Sequence, residues 1–375
     1  MLKLLHLADL HLDSRFVGLS LSDSVKRRAE MRNIFKNALE LAKTEGCSVV
    51  LISGDLFDSE YYTKDTLDFL RGAFASVPDI RFFIAPGNHD PYNAASPYRL
   101  GVFPENVTVF DSENMCAVRC EELSLTVYGY AFTSSSYTRD PLEGFLLSGG
   151  SKYNVLCAHT ELDVLGSSYA PIASSRLGNT GLDYAALGHI HTPQGIARSA
   201  STVYAYSGCI AGRDYSEYGE KGGIIVTIED VNGKKEVKAE KITLCPWIYT
   251  TESVDITDAV TQEDVVDTVT AALKCACGRE GVEYVVRLRL TGEIKFALDT
   301  ENILNSLAQA GVKEVRDETV SFCGVAELEN DFSLRGEFFK VLKDDLASDD
   351  VEKRRIAQMA LKYGLAALNG SEIDV

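Results

Sequence analysis

Six histidines stand in this chain, and five of them fall in short segments that also carry aspartate, asparagine or glycine, or close a predicted strand. The segments are Asp9-Leu10-His11, Gly87-Asn88-His89-Asp90, Ala158-His159-Thr160 and Gly188-His189-Ile190-His191, joined by the histidine-free Gly54-Asp55-Leu56-Phe57-Asp58. Carboxylates and imidazoles rarely bury unpaired, so a cluster of them calls for a cation. A divalent metal would compensate the cluster and keep the imidazoles neutral and ligating. Oxygen and nitrogen ligands without thiolate suit Mn, Fe, Zn or Mg better than copper. The supply of ligands suffices for two ions sharing one carboxylate. Such a pair, about 3.5–4 Å apart, clamps a phosphoryl group for in-line displacement and ionises a water near neutral pH. Singly the segments say little, since Asp-x-His and Gly-Asp-x-x-Asp are common loops and His89 could merely satisfy a turn. All five in order are hard to explain as surface polar residues. His6 is different: it lies inside an apolar run and reads as a core histidine, or one supporting a ligand from behind.

The elements between these segments explain how they could meet. Apolar runs at 2–8, 48–53 and 80–85 read as buried strands, and each is followed by one of the segments. Residues 24–44 and 63–76 carry apolar side chains at helical spacing, so the chain begins as alternating strand and helix with its first strands parallel. From 107 onward strand follows strand, at 107–110, 115–120, 123–132, 153–158, 184–188, 203–207, 223–228 and 237–242. The expected outcome is two sheets packed face to face with helices outside. In an α/β sheet the carboxyl ends of the strands share one edge, where ligands bind. The five loops therefore converge on one crevice, and Gly54, Gly87 and Gly188 let the backbone turn sharply there.

Composition shifts near Cys245-Pro246. We expect a domain over 1–245, a small α+β capping domain over 246–330, and a helical segment over 331–375 with helices at 334–346 and 351–368, the second capped by Ser348 or Asp349. The chain has 375 residues and a formal net charge of −18, and the last 130 residues hold 25 acidic against 14 basic side chains. That balance argues against strong independent binding to nucleic acid. Nine irregularly spaced cysteines, none in a CxxC pair, read as reduced and mostly buried thiols. Cys275 and Cys277 read as two helix positions on different faces. No apolar stretch approaches the ~20 residues of a membrane span. The opening MLKLLHLA is too short for a signal peptide, and the expected location is the cytoplasm.

The order DLH, GDLFD, GNHD, AHT, GHIH resembles the five blocks of the calcineurin-type metallophosphoesterase superfamily. LLHLADLHLD and LISGDLFDS are more narrowly similar to the SbcD and Mre11 DNA-repair nuclease group, and SLRGEFFKVL to its YhaO-type bacterial exonuclease branch. The resemblance implies a four-layered α/β/β/α sandwich with a small cap and terminal helices. It implies metal one at Asp9, His11, Asp55 and His191, and metal two at Asp55, Asn88, His159 and His189, with Asp55 bridging and manganese the expected ion. It also implies that His89 donates a proton to the leaving oxygen, held by Asp58. Nuclease-group sequences often carry His where this chain has Asp58. The mechanism implied is in-line attack on phosphorus by a metal-bridged hydroxide.

The function expected is a two-metal phosphodiesterase, an exonuclease or endonuclease subunit in DNA repair. The alternatives are a phosphatase or small-molecule phosphodiesterase with the same centre, or a non-catalytic scaffold for protein binding. Two divalent ions would locally offset the acidic charge. Arg15, Arg99, Arg176, Arg198 and Arg213 are candidates for contacts to a nucleic-acid backbone, and Tyr61, Tyr62, Tyr92 and Tyr98 for stacking on bases or sugars. The alternative readings are solvated arginines and half-buried tyrosines. The expected partners are DNA and an SbcC- or Rad50-like coiled-coil ATPase. A homodimer is a further expectation. The apolar stripes Phe338, Phe339, Val341, Leu342 and Ile356, Met359, Ala360, Tyr363 would either meet that ATPase or pack on their own domain.

Overall fold

The computed structural model describes residues 1–16, 20–58, 62–101, 103–147, 150–232, 234–321 and 328–368. The chain divides into two compact units, Met1–Ile248 and Tyr249–Val375. The first unit opens with β1 (Leu2–Leu7), α1 (Leu21–Thr44), β2 (Val49–Ile52), α2 (Lys64–Ala75), β3 (Arg81–Ile84), the one-turn α3 (Pro97–Leu100) and β4 (Val107–Val109). It continues with β5 (Cys116–Cys120), β6 (Leu125–Gly129), β7 (Tyr153–His159), α4 (Ser174–Gly178), β8 (Tyr184–Gly188), β9 (Ala197–Ser199) and β10 (Thr202–Tyr206), and ends with β11 (Gly222–Val231) and β12 (Lys234–Thr243).

These strands form two six-stranded sheets, in the orders β12-β11-β1-β2-β3-β4 and β5-β6-β7-β8-β10-β9. Strands β1 to β4 are mutually parallel, as are β6, β7, β8 and β10. The central strands β2 and β7 are buried at every position. That accounts for their unbroken apolar runs, because a parallel sheet must be covered on both faces. The sheets pack through Leu4, Leu51, Phe83, Val127, Val155, Cys157, Ala186 and Ile224. Burying each of the Leu, Val, Ile and Phe side chains contributes about 1.5–3 kcal/mol.

Outside the first sheet lie α1 and α2, whose Phe35 and Phe74 rings meet edge to face, with Phe74 against Phe82 of β3. Ser20 and Thr63 cap these helices, their side-chain oxygens accepting from Asp23 N and Thr66 N. The outer layer on the second sheet is lighter. The short helix α4 and loop residues such as Phe132, Leu142 and Ile172 cover it. The edge strand β9 escapes sequence reading because Ala-Arg-Ser carries no apolar run.

In the second unit, β13 (Trp247–Asp255), which starts at the end of the first unit, β14 (Glu283–Thr291) and β16 (Val312–Asp317) make a three-stranded sheet. The helices α5 (Gln262–Ala276) and α6 (Thr300–Leu307) share its core, and β15 (Glu293–Ile294) pairs with β17 (Val320–Ser321). Cys277 stands at the C-cap of α5, one residue past the helix. The helices α7 (Leu334–Leu346) and α8 (Val351–Leu368) pack on each other through Phe339, Leu361, Phe338 and Leu342. Three of the eight expected stripe residues are therefore consumed internally, while Val341, Ile356 and Met359 stay exposed. The cap of α8 is Asp350 rather than Ser348 or Asp349: its Oδ1 accepts from Glu352 N at 2.9 Å and Lys353 N at 3.2 Å. Among the described residues no helix is long and apolar enough to cross a membrane.

Candidate metal centre

The carboxyl ends of β1, β2 and β3 from one sheet and β7 and β8 from the other meet at one rim. The loops after β1 and β2 are stitched together by Asp9 N to Gly54 O (3.1 Å), His11 N to Asp55 O (2.9 Å) and Leu12 N to Leu56 O (2.9 Å). Four candidate ligands take a positive φ: Asp9 at 51°, His11 at 45°, Asp55 at 49° and His189 at 105°. Left-handed backbone at a non-glycine residue costs on the order of 1–3 kcal/mol and persists where the surroundings hold it, typically at functional sites.

Gly54 has a φ of +94°, and a Cβ there would lie 2.2 Å from His159 Nδ1. Gly87 has no positive φ; what it provides is room, since a Cβ would lie 2.2 Å from Asp55 Oδ1 and 2.8 Å from Asp55 N. Gly188 likewise serves close approach, here to Ser53 O, and not a sharp turn. We expect Gly87→Ala to displace Asp55 and weaken manganese binding by about tenfold or more. Titration of the metal-free variant checks this, and parental affinity would show that Asp55 can yield.

Asp9, His11, Asp55 and His191 each offer an atom such that all four lie within 4.8 Å of one another, so they could hold a metal ion. His11 Nε2 and His191 Nε2 are 3.1 Å apart. The far nitrogens both sit beside carboxylates: His191 Nδ1 is 2.7 Å from Glu217 Oε1, and His11 Nδ1 is 3.1 Å from Asp58 Oδ1, off the line of an ideal hydrogen bond. A carboxylate only accepts, so it favours hydrogen on Nδ1 and a bare Nε2. Two lone pairs then face each other, an arrangement that a cation between them makes favourable.

The same logic holds next to this group. His159 Nδ1 donates to Ser53 O (3.0 Å), which leaves its Nε2 bare, 2.9 Å from Asn88 Oδ1 and 3.4 Å from Asp55 Oδ2. The His189 ring lies edge-on to His159 at 5.2 Å and stacks on Tyr169 at 4.4 Å. Asp55 thus stands between two sets of donors.

The electrostatics agree with a site built for positive charge. Burial, with repulsion from Asp55 added, pushes Asp9 up to about 7, and burial pushes Asp55 up to about 6. Burial holds His159 and His189 down at about 4, and His11 well below its usual value. His191 goes the other way: burial pulls it down, but the Glu217 contact and the charges of Asp9 and Glu217 together outweigh burial. His6 is fully buried, pushed down to about 3 by burial, and pairs its Nδ1 with Tyr184 OH at 2.9 Å across the two sheets.

His89 is exposed at the rim, and its ring lies edge-on to His11 at 4.9 Å. Its Nδ1 is 2.9 Å from the main-chain carbonyl of Asp58. The Asp58 carboxylate, expected to pair with His89, instead accepts from Arg213 Nη1 at 2.8 Å and lies beside His11. Asp58, His11 and His89 still offer ligand atoms within 4.8 Å of one another.

Other substrate-contact expectations fare unevenly. Arg15 is exposed, and Arg213 is at the centre but its donors go to Glu217 and Asp58. Arg176 pairs with Asp140 and Arg198 donates to Ser201 O. Tyr61 lies outside the described residues, and Tyr62 is half-buried with its ring 5.9 Å from Phe57. Tyr98 is buried and donates to Asp90, so it is not free to stack.

Three residues beyond the expected set shape the site. Glu217 is almost wholly buried and touches both His191 and Arg213. Asp90 ties loops together by accepting from Gly87 N (2.7 Å) and Phe57 N (3.1 Å). Tyr169 supplies the ring under His189. For Asp90 the signal was its place in Gly-Asn-His-Asp; for the other two no local signal exists.

Comparison with known proteins points to a family. The chain is 27% identical over 270 residues to an uncharacterized metallophosphoesterase, YhaO, of Bacillus subtilis, covering 69% of this chain and 64% of that one. It is 29% identical over 229 residues to the DNA double-strand break repair protein Mre11 of Aeropyrum pernix, covering 56% of this chain and 53% of the relative. The Mre11 protein of Saccharolobus solfataricus is 27% identical over 223 residues, covering 56% and 54%. The chain therefore spans between half and two thirds of the length of these relatives. The model of the calcineurin-like phosphoesterases matches residues 2–193, which hold every candidate ligand. With that match over half its length, this chain belongs to the calcineurin-like phosphoesterase family.

Proposed function

We propose that the chain is a two-metal phosphodiesterase acting on DNA. Asp9, His11, Asp55 and His191 hold one ion, and Asp55, Asn88, His159 and His189 hold the other, with manganese the ion we expect. The observation that carries this is the convergence of bare imidazole nitrogens and carboxylate oxygens around Asp55. Bound divalent ions would supply Lewis-acid stabilisation of phosphoryl oxygens and an acidified water.

His89 acts as the proton donor to the departing sugar oxygen. Its Nδ1 faces a carbonyl, which can only accept, so that nitrogen keeps its hydrogen and the exchangeable proton is the one on Nε2. Asp58 orients His89 through its main chain, not its carboxylate. Likeness to two Mre11 proteins supports DNA as substrate. Free thiols at all eight described cysteines fit a reducing compartment such as the cytoplasm. The exposed Val341 and Ile356 on the terminal helices suit a Rad50-like ATPase partner, which could supply the grip on DNA that a chain of net charge −18 lacks. That same charge favours the second reading, a small phosphoester substrate.

A panel of single- and double-stranded DNA, cyclic nucleotides and phosphomonoesters, each with manganese, separates the two. Activity confined to monoesters would overturn the nuclease reading.

The protonation pattern sets a pH dependence for metal binding. Asp9 and Asp55, raised to about 7 and about 6, are ionised at pH 8 and carry protons below pH 6. An entering cation must displace those protons, so affinity is lost as pH falls. We expect manganese binding to weaken by about tenfold per pH unit for each proton displaced, once below both values. Calorimetry in buffers of different ionisation enthalpy measures the protons released; a flat affinity from pH 8 to 5.5 would contradict these assignments.

A further inference from the structure

We infer that Arg213, with Glu217 and Asp58, forms a bracket that positions the His11–His191 half of the centre and does not contact substrate. The inference rests on the two-metal reading. Arg213 Nη1 donates to Asp58 Oδ1 at 2.8 Å, while its Nη2 and Nε donate to Glu217 Oε1 at 2.6 and 3.1 Å. Its main-chain N–H adds a bond to Glu217 Oε2 at 2.8 Å. Glu217 Oε1 lies 2.7 Å from His191 Nδ1, and Asp58 Oδ1 lies 3.1 Å from His11 Nδ1. The two Nε2 atoms, 3.1 Å apart, close the ring.

Each imidazole thus has a carboxylate beside it, at His11 as a close charge contact outside hydrogen-bond geometry, and one guanidinium spans both carboxylates. A guanidinium is planar and rigid, so its two ends fix the separation of the groups it bridges. That separation sets where the two imidazoles stand and keeps their Nε2 lone pairs turned inward. Arg213 Nη2 also lies 3.2 Å from His191 Nδ1, but an arginine cannot accept the hydrogen that Glu217 requires on that nitrogen, so the shorter carboxylate contact decides the tautomer. Lys221 fastens the same stretch from below, its Nζ donating to His191 O at 3.0 Å. The surroundings are consistent with a fixed part: the Glu217 side chain is 3% exposed and that of Arg213 14%. The other half of the centre, around His159, takes its orientation from Ser53 O instead, so the bracket serves one ion only.

Arg213→Lys and Glu217→Gln test this. Lysine keeps the charge but reaches as a point and spans only one carboxylate. Glutamine keeps the shape of Glu217 but not its charge. Full-length, metal-free protein is titrated with manganese and followed by equilibrium dialysis and electron paramagnetic resonance, with thermal melting of the metal-free forms alongside. The parent should bind two ions per chain with a spin-coupled spectrum. Both variants should keep one ion, bind the other about 10–100-fold more weakly, and show the hyperfine sextet of an isolated ion, while the metal-free melting transition persists. Parental affinity and coupling in both variants would overturn the bracket, as would equal loss at both sites. Loss of the melting transition in both would assign the network to the fold and overturn it too. A parent that binds fewer than two ions would show instead that the two-metal reading had failed, and the bracket with it.

Discussion

Replacing Asp55 with asparagine is expected to lower phosphodiester turnover by at least about 10⁴-fold, a loss of roughly 5.5 kcal/mol of transition-state stabilisation. In the proposed two-metal centre, Asp55 is the residue on which both halves depend. Its Oδ2 lies 3.4 Å from His159 Nε2 and 3.8 Å from His11 Nε2, and its Oδ1 accepts from His89 N at 2.9 Å. An amide in its place lacks the charge that draws the ions, and on one side it presents hydrogens to nitrogens that must stay bare. Manganese binding should fall below one ion per chain.

The metal-free protein should respond in the opposite sense. Burial raises Asp55 to about 6 in the folded state, above its ordinary value of 3.8. Between those values the folded chain binds more protons than the unfolded one, so this group lowers stability as pH rises through the window. Asparagine carries no such cost. The metal-free variant should therefore melt above the metal-free parent, by a margin that grows from pH 4 to pH 6 and then holds. Melting curves with and without manganese check both signs. A variant that retains turnover, or gains nothing in the metal-free state at pH 7, would remove Asp55 from the shared position.

The candidate ligands were legible because each stands within four residues of the end of a strand whose apolar run is unmistakable. Parallel strands with both faces buried leave only their carboxyl ends for polar chemistry, and Asp9, Asp55, Asn88, His159 and His189 occupy those ends. What supports the ligands was not legible. Glu217 sits in Asp-Tyr-Ser-Glu-Tyr-Gly, which reads as a solvated turn, yet folding carries it against His191, with β9 and β10 between them in sequence. Its burial is a tertiary fact with no periodicity to announce it.

Arg213 was read as a candidate backbone contact or a solvated charge; its partner Asp58 comes from a segment 155 residues away, and Glu217, four residues on in the same loop, gave no sign in the sequence of turning inward to meet it. Asp58 shows a finer limit. Sequence can place the residue beside His89, but cannot say that the carbonyl, not the carboxylate, makes the bond. Nor does any local pattern reveal that β11 inserts antiparallel beside β1, since strand order depends on long-range packing.

His89→Ala and His89→Asn should leave both ions bound while lowering turnover on DNA by about 10²–10⁴-fold, the range of general acid catalysis. The separation of binding from turnover follows from where the side chain sits. His89 holds Asp55 through its main-chain N–H, at 2.9 Å, and that bond survives any side-chain change. The imidazole itself is exposed, held among the described residues by its Nδ1 contact and the edge of the His11 ring, so its removal opens no core cavity. On the proposed role, what is lost is the group that protonates the departing oxygen, and the loss should scale with how badly that oxygen needs a proton. A sugar alkoxide is strongly basic and needs it; p-nitrophenolate is not and needs little. The expected pattern is therefore a large deficit on DNA, a small one on bis(p-nitrophenyl) phosphate, and an unchanged manganese titration. A deficit equal on both substrates would mean that His89 stabilises the phosphoryl group rather than the leaving oxygen. Parental turnover on DNA would take it out of the reaction altogether.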